Sequence, residues 1–128
     1  MAGAAGNLIM GCDICQEVCP YNISLAGPAK NSAFTAGAFA GDEIPLTEIL
    51  QITNDRQYLE RFAGSPLMRP KREGLVKNAI NAAINAITQN PDRYSDALLP
   101  LIEKIASEDE NPRLRETANL YLKRLSAI

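Results

Sequence analysis

Three cysteines within eight residues carry most of the chemistry that this sequence can offer. Cys12, Cys15 and Cys19 follow the spacing C-x2-C-x3-C, and Pro20 comes directly after the third cysteine. Thiolates bind iron–sulfur clusters and zinc, and they also take part in thiol–disulfide exchange. The chain contains no histidine, which excludes Ser-His-Asp catalysis, Cys-His catalysis and histidine-ligated zinc.

The cysteine spacing is that of an iron–sulfur ligand run whose first member is missing. Bacterial ferredoxins use C-x2-C-x2-C-x3-C-P, in which the first three thiolates bind one [4Fe–4S] cluster and the fourth binds its neighbour. This chain has Ile9 at the position of the first cysteine. The spacing predicts that Cys12 and Cys15 bind one cluster and that Cys19 binds another. Two clusters need roughly eight thiolates, so most of the ligands must come from elsewhere.

Three other interpretations of the cysteines stay open. A redox-active C-x-x-C pair needs a strand-to-helix context, which this sequence does not show. A zinc site needs four ligands, and three cysteines without histidine supply it poorly. Structural disulfides are rare inside cells and would leave one of the three thiols unpaired. Ligation of iron–sulfur clusters is the interpretation that we favour.

The cysteines lie in a segment without a sustained hydrophobic period. Residues 1–44 hold six of the eight glycines and all three cysteines, so they predict an irregular, ferredoxin-like arm that binds the clusters. Ile14 and Val18 flank the ligands, and we expect them to shield a cluster from water. Pro20 lacks an N–H group, and we expect it to end the turn that carries Cys19.

Residues 45–128 have apolar side chains at helical spacing and predict a helical domain. Pro45 suits the first position of one helix, Thr53 or Asn54 caps a second helix, and Gly64 ends it. A third helix ends at Asn90. Its predicted buried face is Leu75, Val76, Ala79, Ile80, Ala83, Ile84 and Ile87.

The pattern of the last third of the chain predicts two helices, the second of which begins at Pro112. Pro100, Asn111 and Pro112 are placed as in a HEAT repeat, and a plain αα-hairpin is the alternative. The predicted fold class is therefore mainly α. An irregular ferredoxin-like arm over residues 1–44 precedes a helical domain over residues 45–128 that ends in a HEAT-like αα-hairpin.

Charge is distributed unevenly along the chain. Residues 1–55 hold six acidic side chains and one basic side chain, whereas the remainder is net basic. Four cations, Arg69, Lys71, Arg72 and Lys77, lie near the start of the third helix and could contact the phosphates of a nucleic acid. The alternative is a solvated face whose cations pair with nearby carboxylates.

Several stretches of the sequence resemble a known protein family. Residues 6–22, which include the cysteine run, closely resemble the second cluster motif of the epoxyqueuosine reductases. The resemblance continues through residues 62–67, Arg69, residues 71–75 and residues 77–79, and it extends to the closing helical hairpin.

The resemblance implies a cytoplasmic oxidoreductase of queuosine biosynthesis that reduces epoxyqueuosine in the anticodon loop of tRNA. That family uses cobalamin and two [4Fe–4S] clusters. By the family pattern, Cys12 and Cys15 bind one cluster and Cys19 binds the other. The cobalamin-binding region, the catalytic acid and the first cysteine run lie upstream in the family and are absent here. We therefore expect the C-terminal portion of such an enzyme, which needs an upstream domain or a partner chain for catalysis.

Two further functions stay open at the level of sequence. The chain could be a small helical scaffold that keeps its cysteines without any cluster, or an electron-transfer subunit that completes its clusters with a partner chain. No apolar run is long enough to cross a bilayer, and the first residues lack the basic region of a signal peptide. We expect a cytoplasmic chain whose exposed apolar surface could also support self-association.

Overall fold

The computed structural model of this protein describes residues 7–12, 14–25, 27 and 43–127. Within these ranges the chain is mainly helical and contains no β-strand, which confirms the prediction of a mainly α fold. The glycine-containing stretch predicted as loop around residues 28–42 lies outside the described residues. The ferredoxin-like character of the arm and the HEAT-like character of the closing helices stay predictions.

In the described residues, three short helices precede the longer ones. The elements in chain order are α1 (Ile14–Glu17), α2 (Pro20–Leu25), α3 (Leu46–Leu50), α4 (Asp55–Phe62), a 3₁₀ turn (Pro66–Met68), α5 (Lys71–Gln89), α6 (Pro91–Glu108) and α7 (Pro112–Leu125).

The hydrophobic core is built around α5. This helix packs against α6 and α7, which also pack against each other, while α3 lies against α5 and α6. All seven apolar residues of the predicted α5 face are buried, so that prediction is confirmed. The reason is that apolar side chains three and four residues apart share one face of a helix.

The ends of α4 follow the predicted capping chemistry. The Asn54 side-chain oxygen accepts a hydrogen bond from the Gln57 N–H at 2.9 Å, which satisfies one of the free N–H groups of the first turn. Gly64 follows the helix with a φ of +79°, a left-handed conformation that glycine adopts without steric cost. Helical spacing predicts an apolar stripe of Tyr58, Leu59 and Phe62 on α4. Tyr58 and Phe62 are buried, whereas Leu59 is 50% exposed, so the prediction is wrong at Leu59.

The arm contains more helix than the sequence predicted. Where an irregular segment was expected, α1 and α2 occupy most of residues 14–25. Pro20 begins α2 and does not end a turn, which corrects the prediction. The physical reason is that the first residue of a helix needs no N–H partner and that the φ angle of proline already suits a helix.

Candidate functional site

The residues just before the first cysteine lie against α5. The Asn78 side-chain amide donates a hydrogen bond to the Ile9 carbonyl at 2.7 Å, and the Asn85 amide donates to the Asn7 side-chain oxygen at 3.1 Å. Ile9 is half-buried and packs against the hydrophobic core. Because Asn85 lies seven residues after Asn78 on the same face of α5, residues 7–9 run antiparallel to that helix.

The cysteines follow this docked stretch. Gly11, directly before Cys12, has a φ of +74°, a left-handed conformation that glycine adopts without steric cost. Cys12 precedes α1, Cys15 lies inside it and Cys19 lies between α1 and α2. The Cys12 and Cys15 side chains are exposed, while Cys19 is half-buried.

Short-range hydrogen bonds fix the backbone around the third cysteine. The Cys19 N–H donates to the Gln16 carbonyl at 3.3 Å, and the Cys19 carbonyl accepts from the Ile23 N–H at 3.0 Å. The Asn22 side-chain amide also donates to the Gln16 carbonyl, at 3.1 Å. Both backbone polar groups of Cys19 are therefore engaged, and its thiol is the group left to bind a ligand.

The described residues do not bring the thiols together into one metal site. Across residues 7–12, 14–25, 27 and 43–127, no three His, Cys, Asp or Glu side chains form a group that could hold a metal ion. The thiols are nevertheless of the chemical type that ligates iron–sulfur clusters. Each thiol could contribute to a cluster only together with ligands that lie outside this group.

The cysteine-bearing segment also exposes large apolar side chains. Ile14 and Val18 are 59% and 68% exposed, so within this chain they do not shield a site from water. Other exposed apolar side chains on the same segment are Leu8, Met10, Tyr21 and Ile23. We call these six residues the arm face. Apolar surface concentrated in this way typically marks a site of contact with another protein surface.

Three of the four predicted phosphate-binding cations are available to solvent. Arg69, Lys71 and Lys77 are exposed, and within the described ranges none of them forms a salt bridge. Lys71, the first residue of α5, has a φ of +57°. For a residue with a side chain this left-handed conformation costs about 1–2 kcal/mol, and strain of this kind is often retained at functional sites.

Arg72, the fourth cation, is placed very differently. Its side chain is 3% exposed. The guanidinium donates to both carboxylate oxygens of Asp109, at 2.9 and 3.0 Å, and to Asp55 at 3.1 Å. It also donates to the Ile52 carbonyl at 3.3 Å, and the Asp109 hydrogen bond is the main cause of its raised pKa. Arg72 therefore joins α5 to the neighbouring elements and presents no free edge to a phosphate.

Neighbouring acidic residues complete this polar junction. The Glu73 carboxylate accepts a hydrogen bond from the Asn111 amide at 3.0 Å and lies 3.5 Å from the Arg113 guanidinium. These contacts, led by the Asn111 hydrogen bond, lower the pKa of Glu73. The loop that follows α6 begins with Asp109 and Glu110 and is acidic in the sequence. An acidic residue directly after the helix is the signal that could have identified the partner of Arg72.

Fold and site together define a helical protein that presents a run of cysteines on a docked arm. Comparison with known proteins confirms the resemblance on which the sequence interpretation rests: the chain is a relative of the epoxyqueuosine reductases. It is 35% identical over 71 residues to the epoxyqueuosine reductase of Synechocystis sp., which covers 56% of this chain and 24% of that protein.

Two further relatives carry the same name. The chain is 34% identical over 86 residues to the epoxyqueuosine reductase of Pseudomonas aeruginosa, covering 67% of this chain and 23% of the relative. It is 29% identical over 109 residues to that of Burkholderia pseudomallei, covering 84% of this chain and 26% of the relative. The chain thus spans about a quarter of the length of the curated relatives it matches.

No protein-family model matches the chain, and no solved structure matches it. No helix among the described residues is long and apolar enough to cross a membrane.

Proposed function

We propose that this chain is the cluster-ligating and tRNA-docking part of an epoxyqueuosine reductase-like oxidoreductase. Cys12 and Cys15 give their thiolates to one [4Fe–4S] cluster, and Cys19 gives its thiolate to a second. The observation that carries the proposal is the presentation of the thiols: they follow a stretch docked on α5, and Cys12 and Cys15 are open to solvent. When bound, the clusters would supply electron transfer toward cobalamin.

The rest of the enzyme supplies what this chain lacks. Three thiolates fall short of the roughly eight that two such clusters need, and the chain spans about a quarter of its relatives. We propose that the arm face is covered by the cobalamin-binding part of the same enzyme, which brings the missing cysteines. Burial there would remove Ile14 and Val18 from water and would shield the clusters as the sequence predicted. No residue of this chain is assigned to cobalamin.

Three exposed cations are proposed to dock tRNA. Arg69, Lys71 and Lys77 are exposed and form no direct salt bridge with the described residues, so a phosphate could reach them without breaking an ion pair at contact distance. Residues 7–9 run toward the end of α5 where Arg69 and Lys71 lie. This direction supports a shared location for the cysteine segment and the proposed tRNA contact. Arg72 has no part in the proposal because Asp109 and Asp55 already occupy its guanidinium.

Anaerobic reconstitution tests the cluster assignment. The chain is incubated with iron, sulfide and an excess of a small thiol, which can stand in for the missing ligands. We expect brown protein with broad visible absorption, with iron bound to the chain after gel filtration. Cys19→Ser is expected to lose only part of the iron, and the double variant C12S/C15S to lose a different part. After reduction with dithionite to the paramagnetic [4Fe–4S]⁺ state, the clusters left in the two variants should give different electron paramagnetic resonance spectra.

The matched control for reconstitution is the triple serine variant, which keeps the size and polarity of all three side chains. Iron retention by the unaltered chain that is no higher than in this control would rule out cluster ligation. That result would favour the second candidate, a helical scaffold with vestigial cysteines. The observation behind the second candidate is that the core around α5 is built without any cysteine.

Salt dependence of tRNA binding tests the docking assignment. The affinity of the chain for tRNA is measured over a range of salt concentrations for the unaltered protein and for R69A/K71A/K77A. Each lost phosphate contact should reduce the slope of log affinity against log salt by about 1. A triple variant at exposed cations elsewhere, R56A/K104A/K123A, carries the same change in charge and is the control.

Lys71→Gly separates binding from folding. Glycine tolerates the left-handed conformation at this position, so the variant relieves strain and should unfold no more easily than the unaltered chain. Weaker tRNA binding by K71G therefore cannot come from a damaged fold. Equal slopes for R69A/K71A/K77A and its control would reject the docking assignment.

A further inference from the structure

The position at which a ferredoxin run would have its first cysteine is used here for docking. Ile9 occupies that position. Its side chain packs against the hydrophobic core, and its carbonyl accepts the hydrogen bond from Asn78 at 2.7 Å. A residue that could have held a cluster iron thus ties the arm to α5.

We propose that Asn78 is a positioning residue that, with Ile9, sets where Cys12 and Cys15 are presented. The inference rests on the proposed cluster-binding function and assigns to α5 the role of locating the ligands. Cys12 lies three residues after Ile9, and an extended stretch of three residues spans at most about 10–11 Å. Anchoring Ile9 therefore confines the Cys12 thiol to a small region beside α5.

The contacts of the anchor differ from those that build the core. Asn78 is half-buried on the edge of α5 and reaches across to a residue 69 positions earlier in the chain. Asn85 makes a second contact to the same stretch through Asn7. In contrast, Asn81 faces the interior, and its side-chain oxygen accepts a hydrogen bond from the Tyr121 hydroxyl at 3.0 Å. Asn78 can therefore be changed without removing the polar contact that joins α5 to α7.

Hydrogen–deuterium exchange on the metal-free chain tests the anchor directly. Asn78→Asp keeps the size of the side chain and removes its N–H donors, and Asn78→Leu removes all its polar atoms. In both variants we expect exchange in residues 7–12 to become about two- to tenfold faster, the change that loss of one ordinary hydrogen bond gives. Exchange within α5 itself should stay unchanged, and so should the thermal unfolding of the helical core.

Gln89→Leu is the matched control, because it removes an exposed amide from the last residue of the same helix. Ile9→Ala is the second variant, and its effect on exchange should not add to that of N78D, since both act on one docked stretch. Asn78→Gln keeps the amide and should restore part of the protection. Unchanged exchange of residues 7–12 in both N78D and I9A, relative to Q89L, would overturn the proposal.

A second measurement asks whether the anchor positions the ligands. In chains reconstituted with iron, sulfide and a small thiol and then reduced with dithionite to the paramagnetic [4Fe–4S]⁺ state, we expect N78D to change the electron paramagnetic resonance spectrum of the cluster that Cys12 and Cys15 bind. The cluster that remains in C12S/C15S should keep its spectrum when N78D is added. Identical spectra for N78D and Q89L with full iron content would reject the positioning role.

The two assays also separate failure of the anchor from failure of the proposed function. Iron uptake by the unaltered chain tests cluster binding, whatever Asn78 does. Hydrogen exchange in the metal-free chain tests the anchor, and its result does not depend on iron binding. If the unaltered chain binds no iron while N78D still speeds hydrogen exchange in residues 7–12, the arm is anchored for a purpose other than cluster binding. That pair of results would overturn the positioning role.

Discussion

Arg72 shows at the scale of one residue how strongly the role of a charge depends on its surroundings. Neighbouring Lys71 is exposed, whereas Arg72 is buried and bonded to Asp109 and Asp55. A planar guanidinium matches a carboxylate with two parallel hydrogen bonds, which makes arginine the usual cation of such buried pairs. The same sequence pattern therefore contains one structural cation and three that are available to a ligand.

Replacement of Arg72 is expected to damage the fold severely. Arg72→Met leaves the Asp109 carboxylate buried without its cation, and removal of one partner of a buried pair costs about 3–5 kcal/mol of unfolding free energy. Urea denaturation followed by circular dichroism measures this loss. Arg56→Met is the control, because the Arg56 side chain is 87% exposed. Its replacement should change the free energy of unfolding by no more than about 0.5 kcal/mol. A loss for R72M as small as that for R56M would contradict the structural role.

Two buried tyrosines give a prediction for alkaline pH. Burial raises the pKa of Tyr58 and of Tyr121 above the ordinary value of 10.0. A raised pKa in the folded state means that stability is fully present below pH 10 and is lost as the pH rises through the folded pKa. The urea midpoint should therefore fall when the pH is raised from neutral to above 10.

Substitution of one phenol tests the cause of that alkaline loss. The Tyr58 hydroxyl donates a hydrogen bond to the Leu67 carbonyl at 2.6 Å. Tyr58→Phe should therefore lower the free energy of unfolding at neutral pH. It should also reduce the further loss of that free energy above pH 10. Tyr21→Phe alters an exposed phenol of the arm and should follow the unaltered chain. An identical alkaline loss in Y58F and the unaltered chain would show that other groups cause it.

At the scale of elements, the helices of the core begin and end where local chemistry permits. The side-chain oxygens of Asn54 and Asn111 each accept a hydrogen bond at 2.9 Å from a backbone N–H in the first turn of the following helix. Pro91 and Pro112 occupy first helical positions, where the missing N–H has no consequence. These are interactions between residues close in sequence, and they are the part of the fold that sequence patterns describe best.

Loss of the Asn54 cap should weaken α4 measurably. Asn54→Ala removes the acceptor for the Gln57 N–H and is expected to cost about 1 kcal/mol, seen as a lower urea midpoint. Asn54→Asp keeps an oxygen at the same place and also suits the positive end of the helix dipole. It should therefore retain most of the stability. A cost for N54D equal to that for N54A would argue against the cap.

At the scale of the whole molecule, the described residues fall into a packed helical core and a lightly attached arm. The core residues of α5, α6 and α7 interlock, whereas α1 has no buried residue. Within the described ranges, Ile9 packs against the core and Asn78 and Asn85 bind the stretch of residues 7–9. Such an arrangement suits the role that we propose for the arm, which is to hold cluster ligands and to contact the rest of the enzyme.

Native-state hydrogen exchange should reveal this division. Amides in the middle of α5 are expected to exchange only through global unfolding, while those of α1 and α2 exchange through local opening and hence much faster. Mass spectrometry of peptides from each element measures both rates. In the presence of bound iron and sulfide, protection should rise around Cys12 and Cys15. Equal protection of α1 and α5 in the metal-free chain would contradict the division.

Local sequence patterns predicted the helices of residues 45–128, whereas they did not predict α1 and α2. Helical spacing identified the buried face of α5, capping residues located the ends of α4, and the resemblance to the epoxyqueuosine reductases was confirmed by comparison. These features depend on residues within a few positions of one another, so a local pattern contains them. The ligand assignments of Cys12, Cys15 and Cys19 stay predictions, because they involve partners outside the described residues.

Which polar residues are buried and where residues 7–9 lie follow from the packing of distant segments and not from a local pattern. Arg72 meets Asp109 across 37 positions, and Asn78 meets Ile9 across 69 positions. Leu59 fits the periodic pattern of α4 yet faces solvent, because packing decides which apolar positions are covered. Contacts between distant residues depend on how whole helices pack, and no periodicity or motif within one segment specifies that packing.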